Sequence, residues 1–285
     1  MNVAIIGTGF LGEQLYTDLL PVCERIVLTH HTHQKFPESK RFDFFTDDIA
    51  DIFGDEKIDT VFLPTRIEFE EDEEKLTQAM TRFLTACKGS RIVYVSSDGI
   101  FDGMHGLYRE GDAANPTTLY GRNLKICEDL VRNHADNHCI LRPSYLYGFV
   151  GGRLDKRLDE IRSRVAKGEK IVRFTDMYKS PLSYQQTSEA IVKLALSEFV
   201  GTAHVCGERM SVFDLSKQGM DALGLPTEKL TGEQSPDGRK ADFLADTSLT
   251  NDLMVTLTGM HPWNIKEGLV GSNESFADDD EIYGK

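Results

Sequence analysis

The residues with the clearest chemistry lie at the start of the chain. Gly7-Thr8-Gly9-Phe10-Leu11-Gly12 reads G-x-G-x-x-G, directly after the apolar run Val3–Ile6 and at the opening of an amphipathic stretch. In that setting the first glycine permits a tight turn. The second lets the backbone approach a pyrophosphate, and the third lets helix and strand pack closely. The helix N-terminus then offers free N–H groups and a positive dipole end to phosphate. Gly7, Gly9, Phe10, Leu11 and Gly12 are therefore candidate dinucleotide contacts; the alternative is a glycine-rich turn without a ligand. Enzymes that prefer NAD place an acid at the end of the second strand, against the adenosine ribose. Here that region is Val27-Leu28-Thr29-His30-His31, with no acid. NADP(H) is favoured on that ground, with NAD(H) as the alternative, and Thr29 and His30 join the cofactor candidates. His30, His31 and His33 read as a polar loop beside adenosine rather than a metal site, because no cysteine or carboxylate pattern accompanies them.

These residues need a parallel sheet to position them. Apolar, β-rich runs at Val3–Ile6, Arg25–Thr29, Thr60–Leu63, Arg91–Ser96 and Cys139–Arg142 alternate with helical patterns at Leu11–Leu20, Thr46–Phe53, Glu73–Lys88 and Leu119–His134. Strand–helix alternation predicts an α/β fold with a doubly wound parallel sheet, a Rossmann domain over residues 1–148. The pattern weakens after Gly148. Gly151-Gly152 opens a smaller α/β substrate lobe over residues 149–270, with helices near Arg153–Lys167, Thr187–Glu198, Val212–Leu223 and Thr247–Gly259, and with one strand or helix returning to the first domain. Residues 271–285 form an acidic tail expected to be disordered.

The net charge of −14 over 285 residues excludes the basic footprint of a nucleic-acid binder. No apolar run reaches the roughly 20 residues of a membrane span. Five scattered cysteines without C-x-x-C argue against disulfides and for a reducing cytoplasm. An N-terminal strand with no basic segment before it is not a signal peptide.

A second set of motifs runs in order along the chain. Tyr94-Val95-Ser96-Ser97-Asp98-Gly99-Ile100-Phe101-Asp102-Gly103 is followed by Asn115-Pro116 and Tyr120-Gly121-Arg122. Then come Leu141-Arg142-Pro143-Ser144-Tyr145-Leu146-Tyr147-Gly148 and Ser180-Pro181-Leu182-Ser183-Tyr184. Gly201–Gly207, Ala245-Asp246-Thr247-Ser248-Leu249 and Pro262-Trp263 complete the series. Together they resemble the dTDP-4-dehydrorhamnose reductase branch of the extended short-chain dehydrogenases, over about residues 1–269. The resemblance implies an NAD(P)H-dependent reductase of a nucleotide-linked 4-keto-6-deoxy sugar, with Tyr120 as proton donor and Ser97 as its partner. Asp98 either aids proton transfer or caps a turn. Asp43, Phe44, Leu63 and Thr65 fall at cofactor-facing positions. Ser96, Arg142 and Tyr145 fall on the sugar-nucleotide side, as do Arg239 and Lys240, while Trp263 reads as lobe core. The branch leaves room for a homodimer.

Three departures stand out. Tyr-x-x-x-Lys would place lysine at 124, but that residue is Leu124, and the lysine is Lys125. One residue is about 100° of helix rotation, so Lys125 substitutes only if the helix bulges or the side chain reaches round. Gly99 replaces an aromatic, and Leu63-Pro64-Thr65 a small alanine-rich segment. The acidic run Glu68, Glu70, Glu71, Asp72, Glu73 and Glu74 reads as a solvated helix start. The departures keep two further readings open: a catalytically degenerate binding or regulatory protein, like the β subunit of methionine adenosyltransferase, and a sugar-nucleotide epimerase or dehydratase.

Overall fold

A computed structural model describes residues 1–236 and 244–270. Six strands open the central sheet: β1 (Asn2–Ile6), β2 (Arg25–His30), β3 (Lys40–Arg41), β4 (Thr60–Leu63), β5 (Arg91–Val95) and β6 (His138–Pro143). The strand Gly201–Val205 joins β6, giving the order Gly201–Val205, β6, β5, β4, β1, β2, β3. Every pairing is parallel. A strand from late in the chain thus returns to the sheet.

The strands are apolar at successive positions because both faces are covered. Ala4, Ile6, Val61 and Leu63 pack on one side, against Leu76 and Met80 of α3 (Glu73–Ala86) and Cys127 and Val131 of α4 (Leu119–His134). Val3, Ile5 and Phe62 pack on the other, against Leu15 of α1 (Phe10–Leu19) and Ile191 of α6 (Tyr184–Ala195). This is the doubly wound arrangement. A further core lies after Gly148, where α5 (Lys156–Ala166), α7 (Val212–Ala222) and α9 (Ile265–Val270) bury Leu158, Ile161, Leu215 and Leu269 around Tyr147. No helix among the described residues is long and apolar enough to cross a membrane.

Local capping explains where element bounds differ from the sequence reading. α2 (Ile49–Phe53) starts later than Thr46 because Asp48 accepts from the Ala50 N–H and caps it. α5 starts at Lys156, since Arg153-Leu154 pair with Phe149-Val150 and Asp155 caps the helix. α8 (Asp252–Thr258) starts five residues after Thr247, because Ser248 and Thr250 bond to the Tyr108 backbone in an extended segment. Trp263 is not core. It is 40% exposed, in the segment before α9, and Ile265 and Leu269 fill the core instead. Arg239, Lys240 and residues 271–285 lie outside the described residues.

Candidate active site

The cofactor end is built by the turn from β1 into α1. Gly7 adopts φ +96°, and its N–H donates to Thr29 Oγ1 at the end of β2, 3.0 Å away. A Cβ on Gly12 would lie 2.0 Å from the Gly7 carbonyl oxygen, so only glycine lets α1 start this close to the strand. A Cβ on Gly9 would meet nothing within 4 Å, and no side chain caps α1. Open space therefore faces the N–H end of the helix. Beside it lies a cavity of about 190 Å³, lined by Gly7, Thr29, His30, His31, Asp43, Phe44 and Thr65. These features fit a dinucleotide: room for pyrophosphate before α1 and a largely apolar slot for adenosine.

Six of the sequence candidates converge there, but two do not. Leu63 is fully buried in the core, and the Leu11 side chain packs under α1 against Val3 and Ile5. Phe10 sits at the first turn of α1, its ring 5.5 Å from Tyr184 and 4.9 Å from the Arg153 guanidinium. In the histidine loop, His30 Nδ1 lies 2.8 Å from Ser39 Oγ and His31 Nε2 lies 3.4 Å from Asp43. Among the described residues no cluster of His, Cys, Asp or Glu forms a metal site. Because Gly9 borders open space, Gly9→Val is expected to fold like the parent while filling the pyrophosphate position. Calorimetry should show dinucleotide affinity reduced at least about 100-fold, or about 2.7 kcal/mol; equal affinity would contradict this placement.

The acid site lies at the C-terminal end of β5. The chain leaves the strand into a short 3-10 turn, Asp98–Ile100, and Ser97 caps it by accepting from the Gly99 N–H. Tyr120 stands in the first turn of α4, which Thr118 caps through the Gly121 N–H. The Ser97 hydroxyl stands beside the Tyr120 phenol and works to lower its pKa. The ring presses on Gly99, where a Cβ would come within 2.9 Å of Tyr120 Cε1, so glycine here makes room for the phenol. Phe69 stacks on the other side at 4.8 Å, and the Arg66 guanidinium lies 4.8 Å above Phe69. Burial, first of all, and then the nearby Glu68 charge push the Tyr120 phenol up to about 12, against the Ser97 hydroxyl.

Asp98 is not the turn cap; it is a buried acceptor for four donors. Ser97 Oγ reaches Oδ1 at 3.0 Å. Ser144 Oγ, Lys179 Nζ and Thr247 Oγ1 reach Oδ2 at 2.9, 2.8 and 2.6 Å. Burial works to raise this carboxyl's pKa, but the Lys179 charge and these donors outweigh it and hold it below the ordinary carboxylate range. Lys179 carried no motif signal beyond preceding Ser180-Pro181.

The structure does not bring Lys125 to Tyr120. Its ammonium pairs with Asp129 one turn along the exposed face, at 2.7 Å, while Leu124 is fully buried beside Gly99. α4 keeps regular helical phase, so the one-residue offset rotates the lysine outward. The acidic run also needs correction. Glu73 and Glu74 are exposed at the start of α3, but Glu68 is 2% exposed and accepts from Tyr94 Oη at 2.6 Å. Burial raises its pKa from 4.5 to about 7, against the Tyr94 hydrogen bond and Arg66. Such a group stabilises the fold fully below its unfolded value and less as pH rises through the folded one. Glu68→Gln, which keeps an acceptor for Tyr94, should therefore gain stability relative to the parent as pH rises. The gain between pH ~4 and pH ~8 should be about 3 kcal/mol by urea unfolding. A pH-independent difference would contradict this burial.

Of the residues expected on the sugar-nucleotide side, Ser96 and Arg142 are internal. Arg142 is 3% exposed and grips Glu128 through two bonds, Nε–Oε1 at 2.8 Å and Nη2–Oε2 at 2.7 Å, and Ser96 Oγ donates to the same carboxylate at 2.6 Å. Tyr145, by contrast, lines a second cavity of about 320 Å³ with Arg157, Arg173, Phe174, Met177 and Val212. The Arg157 guanidinium lies 4.4 Å over the Tyr145 ring. Two guanidiniums and two aromatic rings suit an anionic, planar ligand. Isolated arginines in helices and strands gave no sequence signal for this.

Residues 72–275 match the family described as RmlD substrate binding domain. The chain belongs to this family. Among curated relatives, the spore coat polysaccharide biosynthesis protein SpsK of Bacillus subtilis is 28% identical over 209 residues, 71% of this chain and 72% of that protein. Methionine adenosyltransferase 2 subunit beta of Bos taurus is 31% identical over 159 residues, 51% of this chain and 46% of that one. A crystal structure of dTDP-4-dehydrorhamnose reductase from Bacillus anthracis in complex with NADP superposes with a TM-score of 0.77 at 20% identity, covering 95% of this chain and 97% of that one. That likeness shows that this RmlD-family chain shares the fold of that structure.

Proposed function

We propose that this RmlD-family chain is an NAD(P)H-dependent reductase of a nucleotide-linked 4-keto-6-deoxy sugar. The observation that carries the reading is the Tyr120 phenol beside Ser97 at the end of β5, set between the two cavities. Arg66 lines the first cavity and stacks on Phe69, which stacks on Tyr120. On the other side Asp98 bonds Ser144, whose neighbour Tyr145 lines the second. Gly7, Gly9 and Gly12 would hold the dinucleotide, which supplies a hydride when bound. NADP(H) is favoured by the acid-free end of β2. Arg157 and Arg173 would hold the diphosphate of the sugar nucleotide, and the Phe174 and Tyr145 rings its base.

The chain's own part in the reduction is to give a proton. A carbonyl oxygen beside Tyr120 takes the phenol proton as negative charge builds on it, while Ser97, held by its bond to Asp98, stands beside the phenol. A phenol pushed up to about 12 keeps its proton throughout the neutral range. Steady-state oxidation of NADPH tests the reading: it is expected with a nucleotide-linked 4-keto sugar and not with the free sugar. The fully buried Leu124, in place of a cation, favours the second reading, a non-catalytic binding protein. Dinucleotide binding without turnover would select it.

A further inference from the structure

We propose that Lys179 supplies, through Asp98 and Ser97, the positive charge that the acid site lacks at position 124. The inference rests on Tyr120 as proton donor. It concerns a positioning residue, since Lys179 acts through its neighbours.

Short contacts run from Lys179 to Ser97, next to the phenol. Lys179 Nζ lies 2.8 Å from Asp98 Oδ2 and 2.5 Å from Thr247 Oγ1. Thr247 in turn donates to the same Asp98 oxygen. Asp98 Oδ1 accepts from Ser97, and both residues stand beside the Tyr120 phenol and act on its ionisation. The lysine is held in place by its strand: Tyr178 and Lys179 pair antiparallel with Met210 and Ser211. Ser180, the next residue, bonds Ser144 through its N–H and Leu249 through its hydroxyl.

The charges around Tyr120 show what this cation does. Glu68 from the loop after β4 and Asp98 from the loop after β5 both face the phenol and oppose its ionisation. Arg66 works the other way but lies on the exposed side, above Phe69. Leu124 contributes nothing, and Lys125 is committed to Asp129. Without Lys179, a buried carboxylate would stand next to Ser97 with no counter-charge, and any negative charge developing at Tyr120 during proton transfer would be repelled by it. With Lys179 in place the Asp98–Lys179 pair is neutral, yet Asp98 remains an ionised acceptor that fixes the Ser97 hydroxyl. In the Tyr-x-x-x-Lys pattern the cation approaches from the helix. Here it comes from the opposite side, on a strand, behind the serine.

The test reads the phenol directly. A difluorotyrosine, intrinsically more acidic, replaces Tyr120 in the full chain, and its ionisation is followed by fluorine NMR without substrate or dinucleotide. Lys179→Gln keeps a hydrogen-bond donor but removes the charge. The midpoint is expected to rise by about one to two pH units, the size of one unit charge a few ångströms away in a partly screened site. Lys179→Arg should keep the parent midpoint. Adding Leu124→Lys to Lys179→Gln should bring it back down, because it places a cation on the helix side. A lysine with only a structural role would lower the unfolding temperature and leave the midpoint unmoved; an unmoved midpoint in folded Lys179→Gln overturns the proposal. Should Lys179→Gln fail to fold, Leu124→Lys alone and Lys179→Arg decide: the first must lower the midpoint and the second must hold it, and a shift of more than a unit in folded Lys179→Arg overturns the assignment. Because no turnover is measured, a chain that reduces no sugar can still show the shift, and an active reductase can still fail to show it.

Discussion

Arg142→Met is expected to lower the stability of the fold by about 3–5 kcal/mol, the cost of leaving one member of a buried ion pair alone. Glu128 is wholly buried, and its carboxylate is held by Arg142 on both oxygens. Burial alone would raise its pKa, but the Arg142 bonds and charge, with help from Ser96 and Arg132, bring it below the ordinary value. With the folded value depressed, this carboxylate stabilises the fold above its unfolded pKa and stops doing so as pH falls through the folded one. The loss in Arg142→Met should therefore be full at neutral pH and shrink in acid. Arg132 still reaches Glu128 Oε2 at 2.6 Å, which places the expected loss at the lower end. Urea unfolding at neutral pH measures it. A loss under ~0.5 kcal/mol would mean the pair is not internal, and that Arg142 is free to touch substrate after all.

The other large effect is on chemistry. Tyr120→Phe should reduce turnover about 10²–10⁴-fold, the usual contribution of a placed general acid. The ring, its stack on Phe69 and its contact with Gly99 are retained, so the unfolding midpoint and dinucleotide affinity should stay near those of the parent. A variant that keeps most of its turnover would show that the proton comes from elsewhere, with Ser97 and Asp98 the groups to examine next.

The scaffold was largely legible because its signals are local. Thr60–Leu63 and Leu119–His134 have the bounds read from the sequence, since an apolar run closed by polar residues and a Thr118 cap need no distant partner. The glycine turn was legible for the same reason: the demand on Gly12 is set by Gly7, five residues away. What was not legible depends on side chains that meet across long separations. Arg142 looked like a ligand contact because nothing in the sequence says that Glu128, on another element, neutralises it. Glu68 looked solvated because its neighbours are acidic, yet the loop after β4 turns it inward to Tyr94. Lys179 is 81 residues from Asp98 and Thr247 is 149, so the pairing at the acid site had no sequence trace. Lys125 could be judged, because helix phase is local.

The most direct test of the account is to follow deuteride from labelled NADPH into a nucleotide-linked 4-keto-6-deoxy sugar. Deuterium is expected at C4 of the product in the parent, with a rate of incorporation about 10²–10⁴-fold lower in Tyr120→Phe at unchanged dinucleotide affinity. A parent chain that binds dinucleotide through Gly7, Gly9 and Gly12 yet transfers no deuterium would contradict it.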